Sequence, residues 1–376
     1  MDAILELPRT IFAVGAVARL PQELHAMGVQ RPLVITDTGL RANRVLHEVM
    51  AHLPADTPLF DQVTPNPVFA NIDEACKQYR AAACDAIVAV GGGSVLDVAK
   101  YVALIATHGG TVRDYVGQSE PFSRPAAPMV AIPTTAGTGS EASPDAGIHQ
   151  DAFSASTGIS SRWAVPHVAL LDPQLTIRLP THLTAATGID ALSHCLEGYL
   201  SKVNSPVADA LALDGVRRVL AHIEQATRHG NDLAARSEML VAGYLGGVAI
   251  GMGLGPAHAI AISCSDQGLH HGVLSGIGVV ATLDSVLARL PAQRAVLATL
   301  FGVGGDQSLS AAMAALMQRL GLPATLGAAG YVTDDLDQLS EAAHNSVFNF
   351  SSRWHPNALV YHQWLKASLA NHLPPL

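Results

Sequence analysis

Asp190 and His194 stand four residues apart in Leu183–Ser201, LTAATGIDALSHCLEGYLS, a stretch with helical periodicity. Both side chains therefore leave one helix face about one turn apart, the spacing that two ligands of a common ion require and that a plain surface hydrogen bond also satisfies. Two further segments carry a different chemistry. GGGSVLDVAK, Gly91–Lys100, follows the apolar run Ala86–Val90 and opens into a helical pattern, so Gly92, Gly93 and Ser94 sit where a strand meets a helix N-terminus. Unpaired N–H groups and the positive end of the helix dipole hold phosphate there, and no Cβ blocks the approach. PTTAGTGSE, Pro133–Glu141, repeats the arrangement after Met129–Ile132 and adds hydroxyls at Thr134, Thr135 and Thr138. Two such turns at strand ends suit one dinucleotide lying across a sheet edge. A lone glycine-rich turn serves a tight bend as readily as a ligand, and neither segment is GxGxxG.

Asp37 ends Val34-Ile-Thr-Asp, after the first predicted strand. It is placed to accept from ribose hydroxyls, and its carboxylate would repel a 2′-phosphate, which favours NAD over NADP; a simple turn aspartate reads the same way. Asp97, three residues into the predicted helix after Gly93, is a nicotinamide-side candidate or a cap of that helix. Glu197 shares the face of Asp190 and His194 and reads as a helix-surface carboxylate. Cys195 points about 100° away and reads as core.

These residues need a scaffold of alternating elements. Pro32–Thr36, Ala86–Val90, Met129–Ile132 and His167–Leu171 read as strands, separated by helical segments such as Asn71–Ala82 and Val95–Thr107. Such alternation implies parallel pairing through helical crossovers. After Leu179–Leu183 the pattern becomes helical: 185–200, 207–223, 232–250, 276–290, 308–320, 334–344 and 359–372. The fold class expected is α/β, a Rossmann-like parallel-sheet nucleotide domain over residues 1–180 followed by an all-helical domain over residues 181–376.

The 376 residues, 49% hydrophobic, suffice for a large core. A formal charge of −9 with 22 Lys+Arg and no basic run argues against a nucleic-acid surface. Cys76, Cys84, Cys195 and Cys264 contain no CxxC and read as thiols of a reducing compartment. The N-terminal stretch has no positive region before its apolar residues, so the expected location is cytoplasmic. Met239–Ser265 lacks Asp, Glu, Lys and Arg and is long enough to span a bilayer, yet its glycines, Pro256 and His258 fit a buried helix pair better, and no membrane association is expected.

Taken together, GGGSVLDVAK, PTTAGTGSE, LLDPQL at Leu170–Leu175 and LTAATGIDALSHCLEGYLS resemble the iron-containing, group III alcohol dehydrogenases, from about Ile11 to about Leu290 and thinning towards the C-terminus. The resemblance implies an NAD(P)-linked, metal-dependent oxidoreductase acting on a small-molecule alcohol or aldehyde, as a homodimer or higher homo-oligomer. It implies that Asp190 and His194 ligate a catalytic divalent metal together with two later histidines, His258 in GLGPAHAIA and His271 in LHHGV. The gap between them is one residue shorter than the usual family spacing, which leaves His270 as the alternative ligand. Three imidazoles and one carboxylate suit Fe(II) or Zn(II), whereas Mg(II) asks for oxygens. The histidine that the family commonly carries one turn after His258 is replaced by Ile262, and His270 becomes the candidate catalytic residue in its place, with a capping or packing role as the counter-reading. PTTAGTGSE and DALSH favour this branch over the related glycerol dehydrogenases and dehydroquinate synthases, and the Asp190/His194 pair favours a metal-dependent member over the similar maleylacetate reductases; a glycerol-dehydrogenase-like or maleylacetate-reductase-like oxidoreductase is the alternative reading. AHAIA and LHHGV also resemble sugar-acid 8-oxidases of the family. A regulatory nucleotide-binding protein that keeps the fold without turnover is the reading of another class, and it would lack the metal ligands. His149, Arg162, His344, Trp354 and His355 are polar-pocket candidates that read equally as packing residues.

Overall fold

The computed structural model describes residues 5–41, 43–118, 121–152 and 154–373. The chain begins with β1 (Arg9–Phe12), α1 (Leu20–Ala26), β2 (Pro32–Asp37), α2 (Thr38–Arg41), α3 (Arg44–Met50), β3 (Leu59–Val63), α4 (Phe69–Ala81), β4 (Ala86–Gly91), α5 (Gly93–His108) and β5 (Met129–Pro133). A hairpin of β6 (Asp145–His149) and β7 (Ser156–Ser160) precedes β8 (Val168–Leu171). Helices follow: α6 (Thr181–Leu200), α7 (Pro206–Arg228), α8 (Leu233–Ile250), α9 (Pro256–Ser263), α10 (His271–Leu287), α11 (Pro291–Phe301), α12 (Leu309–Arg319), α13 (Leu336–His344) and α14 (Ala358–Leu369).

Six strands form one parallel sheet in the order β1-β8-β5-β4-β2-β3. Its central strands are apolar on both faces because helices cover both. Along β4, Ile87 and Ala89 pack with α4 and α5, while Val88 and Val90 pack with α1 and α3, the period of two that a pleated strand imposes. The strand order reverses between β2 and β4, and Asp37 and Gly92 flank the carboxyl ends there, where open α/β sheets take their ligands. The α/β then helical architecture expected from the pattern is the one observed.

The sequence pattern passed over four strands. β1 and β3 lie at the two edges of the sheet, and β1 is mostly exposed, so neither carries the continuous apolar run of a central strand. Asp37 is therefore the last residue of the second strand, not a residue after the first. The β6–β7 hairpin is antiparallel, and its short, mixed strands show no clear alternation. Among the helices, α11 was missed and α10 starts five residues earlier than its periodicity suggested.

The helical part has its own core, in which α6, α7, α8 and α10 pack with Ile189, Leu192, Leu196, Leu240 and Ile277 fully or almost fully buried. Among the described residues, α8 is the one helix long and apolar enough to cross a membrane, and 67% of it is buried in this core. The apolar run Met239–Ser265 forms the second half of α8 together with α9. All four cysteines are free and buried, and Cys195 packs against Gly215 of α7.

Candidate active site

Asp190 and His194 project from the middle of α6, His258 from the first turn of α9, and His271 is the first residue of α10. One potential ligand atom from each lies within 4.8 Å of all the others. Asp190 Oδ1 is 3.7 Å from His194 Nε2 and 3.8 Å from His271 Nε2, too far for hydrogen bonds. Those separations are close to the roughly 3.4 Å between neighbouring donors around a tetrahedral ion with ligand bonds near 2.1 Å. The His194 and His258 rings stack at 4.7 Å, and His271 lies 5.6 Å from His258. Asp190 Oδ1 and His194 Nδ1 are buried without a hydrogen-bond partner. An unpaired buried carboxylate oxygen costs several kcal/mol unless a cation meets it, so the donor set fits a divalent metal.

Close helix contact makes this convergence possible. A Cβ on Gly272, the second residue of α10, would lie 2.3 Å from the Ala186 carbonyl oxygen and 2.9 Å from Asp190 Cβ. Only glycine lets α10 descend onto α6 there. Burial pushes the Asp190 carboxyl up, but His194, His271, His258 and His270 more than offset this and hold it below its usual range. Burial likewise pushes His194 and His271 down to about 4 against the pull of Asp190, which keeps the rings neutral and able to donate lone pairs.

His270 caps α10: its Nδ1 accepts from Gly272 N at 3.1 Å. Burial holds its ring below the ordinary value, with Asp190 opposing. Ile262 lies one turn after His258 on α9 and adds no donor.

The two glycine-rich turns lie side by side at the carboxyl ends of β4 and β5. Thr134 N donates to Gly91 O at 3.0 Å, and Gly92 and Gly93 face Thr135 and Thr138. Gly92 is the N-cap of α5 and offers no side chain to its amides. Ser94, Thr135 and Thr138 are partly exposed, whereas Thr134 is buried. The second turn also abuts α6, since a Cβ on Gly137 would lie 2.1 Å from Thr187 O, one turn before Asp190. Asp37 Oδ1 accepts from Leu40 N at 2.9 Å at the mouth of the β2–β4 crevice, and burial pushes its carboxyl up.

Asp97 does not cap α5. Its Oδ1 accepts from Ser140 Oγ at 2.6 Å and its Oδ2 from Gly147 N at 2.9 Å, joining the first turn's helix to the second turn and to β6. One turn on, the buried Lys100 Nζ donates to Ser143 O at 3.0 Å, Ser143 Oγ at 3.1 Å and Asp145 O at 2.6 Å. Burial pushes this ammonium down, with Asp97, Asp145 and Glu141 opposing. The lysine stands in GGGSVLDVAK, but its partners come from the loop before β6 and the first residue of that strand, which the motif does not describe.

Two residues near the four donors were missed or misjudged. Glu197 is not a surface carboxylate: it is 6% exposed and bonded to His258. The cause is that α6 is buried on every side, so sharing a face with Asp190 means sharing an interior. Phe348, in the short 3₁₀ turn Val347–Ser351, makes a T-shaped ring contact with His258 at 6.0 Å between centroids. By contrast, the polar-pocket candidates are engaged elsewhere. His149 Nδ1 is 2.8 Å from Ser154 O, Arg162 stacks on Trp163, Arg289 on Trp354, and the His344 and His355 rings pair at 4.9 Å.

Comparison with known proteins agrees with this geometry. Residues 8–173 match the family model of iron-containing alcohol dehydrogenase, and residues 184–357 match the C-terminal model of the same family. A 4-hydroxybutyrate dehydrogenase of Cupriavidus necator is 36% identical over 94% of this chain and 96% of its own. An NAD-dependent methanol dehydrogenase of Bacillus methanolicus is 32% identical over 90% and 92%. A crystal structure of a 1,3-propanediol oxidoreductase superposes with a TM-score of 0.92 at 30% identity, covering 98% of this chain and all of that one. Sheet, helical core, donor set and relatives thus agree, and the chain belongs to the iron-containing alcohol dehydrogenase family as an oxidoreductase of alcohols and aldehydes.

Proposed function

We propose that the chain interconverts a primary alcohol and its aldehyde with NAD, using one divalent metal, Fe(II) or Zn(II), held by Asp190, His194, His258 and His271. The observation that carries this is the convergence of four donors around a buried carboxylate oxygen that no protein group satisfies. A metal held there would supply Lewis acidity towards the alcohol or carbonyl oxygen, and a bound nicotinamide would supply the hydride chemistry.

The protein's own residues then hold, orient and exclude. The Gly92 and Gly93 backbone and the N-terminus of α5 receive the pyrophosphate, with Ser94, Thr134, Thr135 and Thr138 supplying hydroxyls. Asp97 faces the nicotinamide side while bracing the two turns together. Asp37 accepts from the adenosine ribose, and its charge disfavours the 2′-phosphate of NADP. His270 passes the alcohol proton towards solvent. Its capped Nδ1 leaves the neutral ring's proton on Nε2, which suits a relay. The four-donor set argues against a nucleotide-binding protein without turnover.

The names of the similar dehydrogenases, 4-hydroxybutyrate, methanol and 1,3-propanediol, share a primary hydroxyl, and this supports a small primary alcohol as substrate. Further parts of this reading are a division into units near residue 180, supported by separate cores, and a homo-oligomer, supported by exposed Leu7, Phe12 and Val14 beside or within the edge strand β1. A cytoplasmic setting is supported by four free thiols. The deciding experiment is a panel of primary alcohols, ω-hydroxy acids and sugar acids assayed by cofactor absorbance with NAD and NADP, in wild type and Asp37→Gly. NAD preference that weakens in the variant is expected; equal use of both cofactors by wild type would contradict it.

A further inference from the structure

We propose that Glu197 is a positioning residue that sets His258 as a metal ligand, an inference that rests on the four-residue metal set above. Its Oε2 lies 2.6 Å from His258 Nδ1. The same oxygen accepts from His258 N at 3.1 Å, and Oε1 accepts from Ala257 N at 2.8 Å. A carboxylate at that distance keeps the ring proton on Nδ1 and so leaves the lone pair on Nε2. That Nε2 lies 3.4 Å from Ser275 Oγ, as His271 Nε2 does at 3.3 Å, on the side where the donors gather. Among the described residues, His258 is the one side chain of a basic residue paired with Glu197, and no Lys or Arg pairs with it. Such carboxylate–histidine pairs orient the ring and raise its basicity.

The local sequence is arranged around this carboxylate. α9 has Gly255 at its N-cap, with no side chain to offer, and Pro256 has no N–H. The first free amides of α9 are thus those that Glu197 receives from α6. A Cβ on Gly255 would lie 2.8 Å from Glu197 Oε1, so a glycine is needed there to admit the carboxylate.

A purely structural Glu197 would cap α9 and do nothing for the metal. Glu197→Gln separates the two roles, because the amide keeps the size, retains one acceptor oxygen and turns an N–H₂ donor towards amides that need an acceptor. Asp232→Ala serves as the control: it removes the side-chain cap of α8 (Ala235 N to Asp232 Oδ1, 3.0 Å) and leaves the metal set untouched. Metal-free protein is titrated with Zn(II) against a chromophoric chelator, and the His258 tautomer is read from ¹⁵N shifts of the metal-free form. Expected for Glu197→Gln is a 10–100-fold weaker Zn(II) affinity and loss of the single Nδ1–H tautomer, with Asp232→Ala losing only thermal stability. Wild-type affinity and tautomer in Glu197→Gln, with a lowered Tm like that of the control, would overturn the positioning role alone. A wild type that takes up no Zn(II) would overturn the metal reading and this inference with it.

Discussion

Gly93 and Thr138 touch so closely that a Cβ on the glycine would lie 2.7 Å from Thr138 Cγ2. One belongs to the turn after β4 and the other to the turn after β5, so the two phosphate-binding candidates form one surface. Gly93→Ala must displace the second turn by several tenths of an ångström. The expected outcome is about tenfold weaker cofactor binding by fluorescence titration, with a stability loss of roughly 1–3 kcal/mol and unchanged metal content. Unaltered cofactor affinity would separate the turns from the cofactor.

His270 and His271 are adjacent but differently engaged, one as a helix cap and the other facing Asp190. His271→Ala should lose metal and activity together. His270→Ala should keep the metal, lose a cap worth about 1 kcal/mol and lose roughly 10²–10⁴-fold in kcat if the residue relays a proton. Metal analysis beside steady-state kinetics checks both, and full activity in His270→Ala would leave that residue with its capping role alone.

How much of this was legible in the sequence depended on where the information lay. Asp190, His194 and the glycine turns were readable because a helix fixes the four-residue offset and a strand end fixes the turn. Glu197 was misread because helical spacing tells which face a residue shares but not whether that face is buried; α6 is enclosed by α7, α8 and α10. Phe348 was missed for another reason. Its 3₁₀ turn is held in place by contacts distant in sequence, such as Lys202 N to Ser351 O at 2.8 Å and Tyr361 OH to Asn349 Oδ1 at 2.6 Å. No local period encodes those.

Glu141 closes the second turn, is 2% exposed, and has its carboxyl pushed up to about 7 by burial, with its own backbone N–H and Lys100 pulling the other way. A carboxyl whose folded value lies above its unfolded one favours the folded state most below its unfolded value, and that contribution is lost as the pH rises through about 7. Between pH 4.5 and 8 the metal-free wild type should therefore lose about 3 kcal/mol relative to Glu141→Gln. Urea unfolding of both proteins across that range measures it. Parallel pH profiles would contradict the burial argument.

Phe348 packs its ring against His258 in a T-shaped contact and is itself partly exposed, so it forms a wall beside the donor set. Phe348→Ala should raise KM for the smallest alcohols about tenfold, in line with the 1–3 kcal/mol worth of a lost apolar contact in a pocket, while easing entry of longer or branched ones. Kinetics over a chain-length series would show a shifted optimum. An unchanged ranking of substrates would remove Phe348 from the pocket.

The central claim is that Asp190, His194, His258 and His271 hold one divalent metal on which alcohol oxidation depends. Metal analysis of purified wild type and of the His194→Ala/His258→Ala double variant, with NADH absorbance recorded on the same samples, tests it most directly. One equivalent of Fe or Zn and measurable turnover in wild type, with both lost in a folded double variant, is the result predicted. Stoichiometric metal retained by the double variant would contradict it.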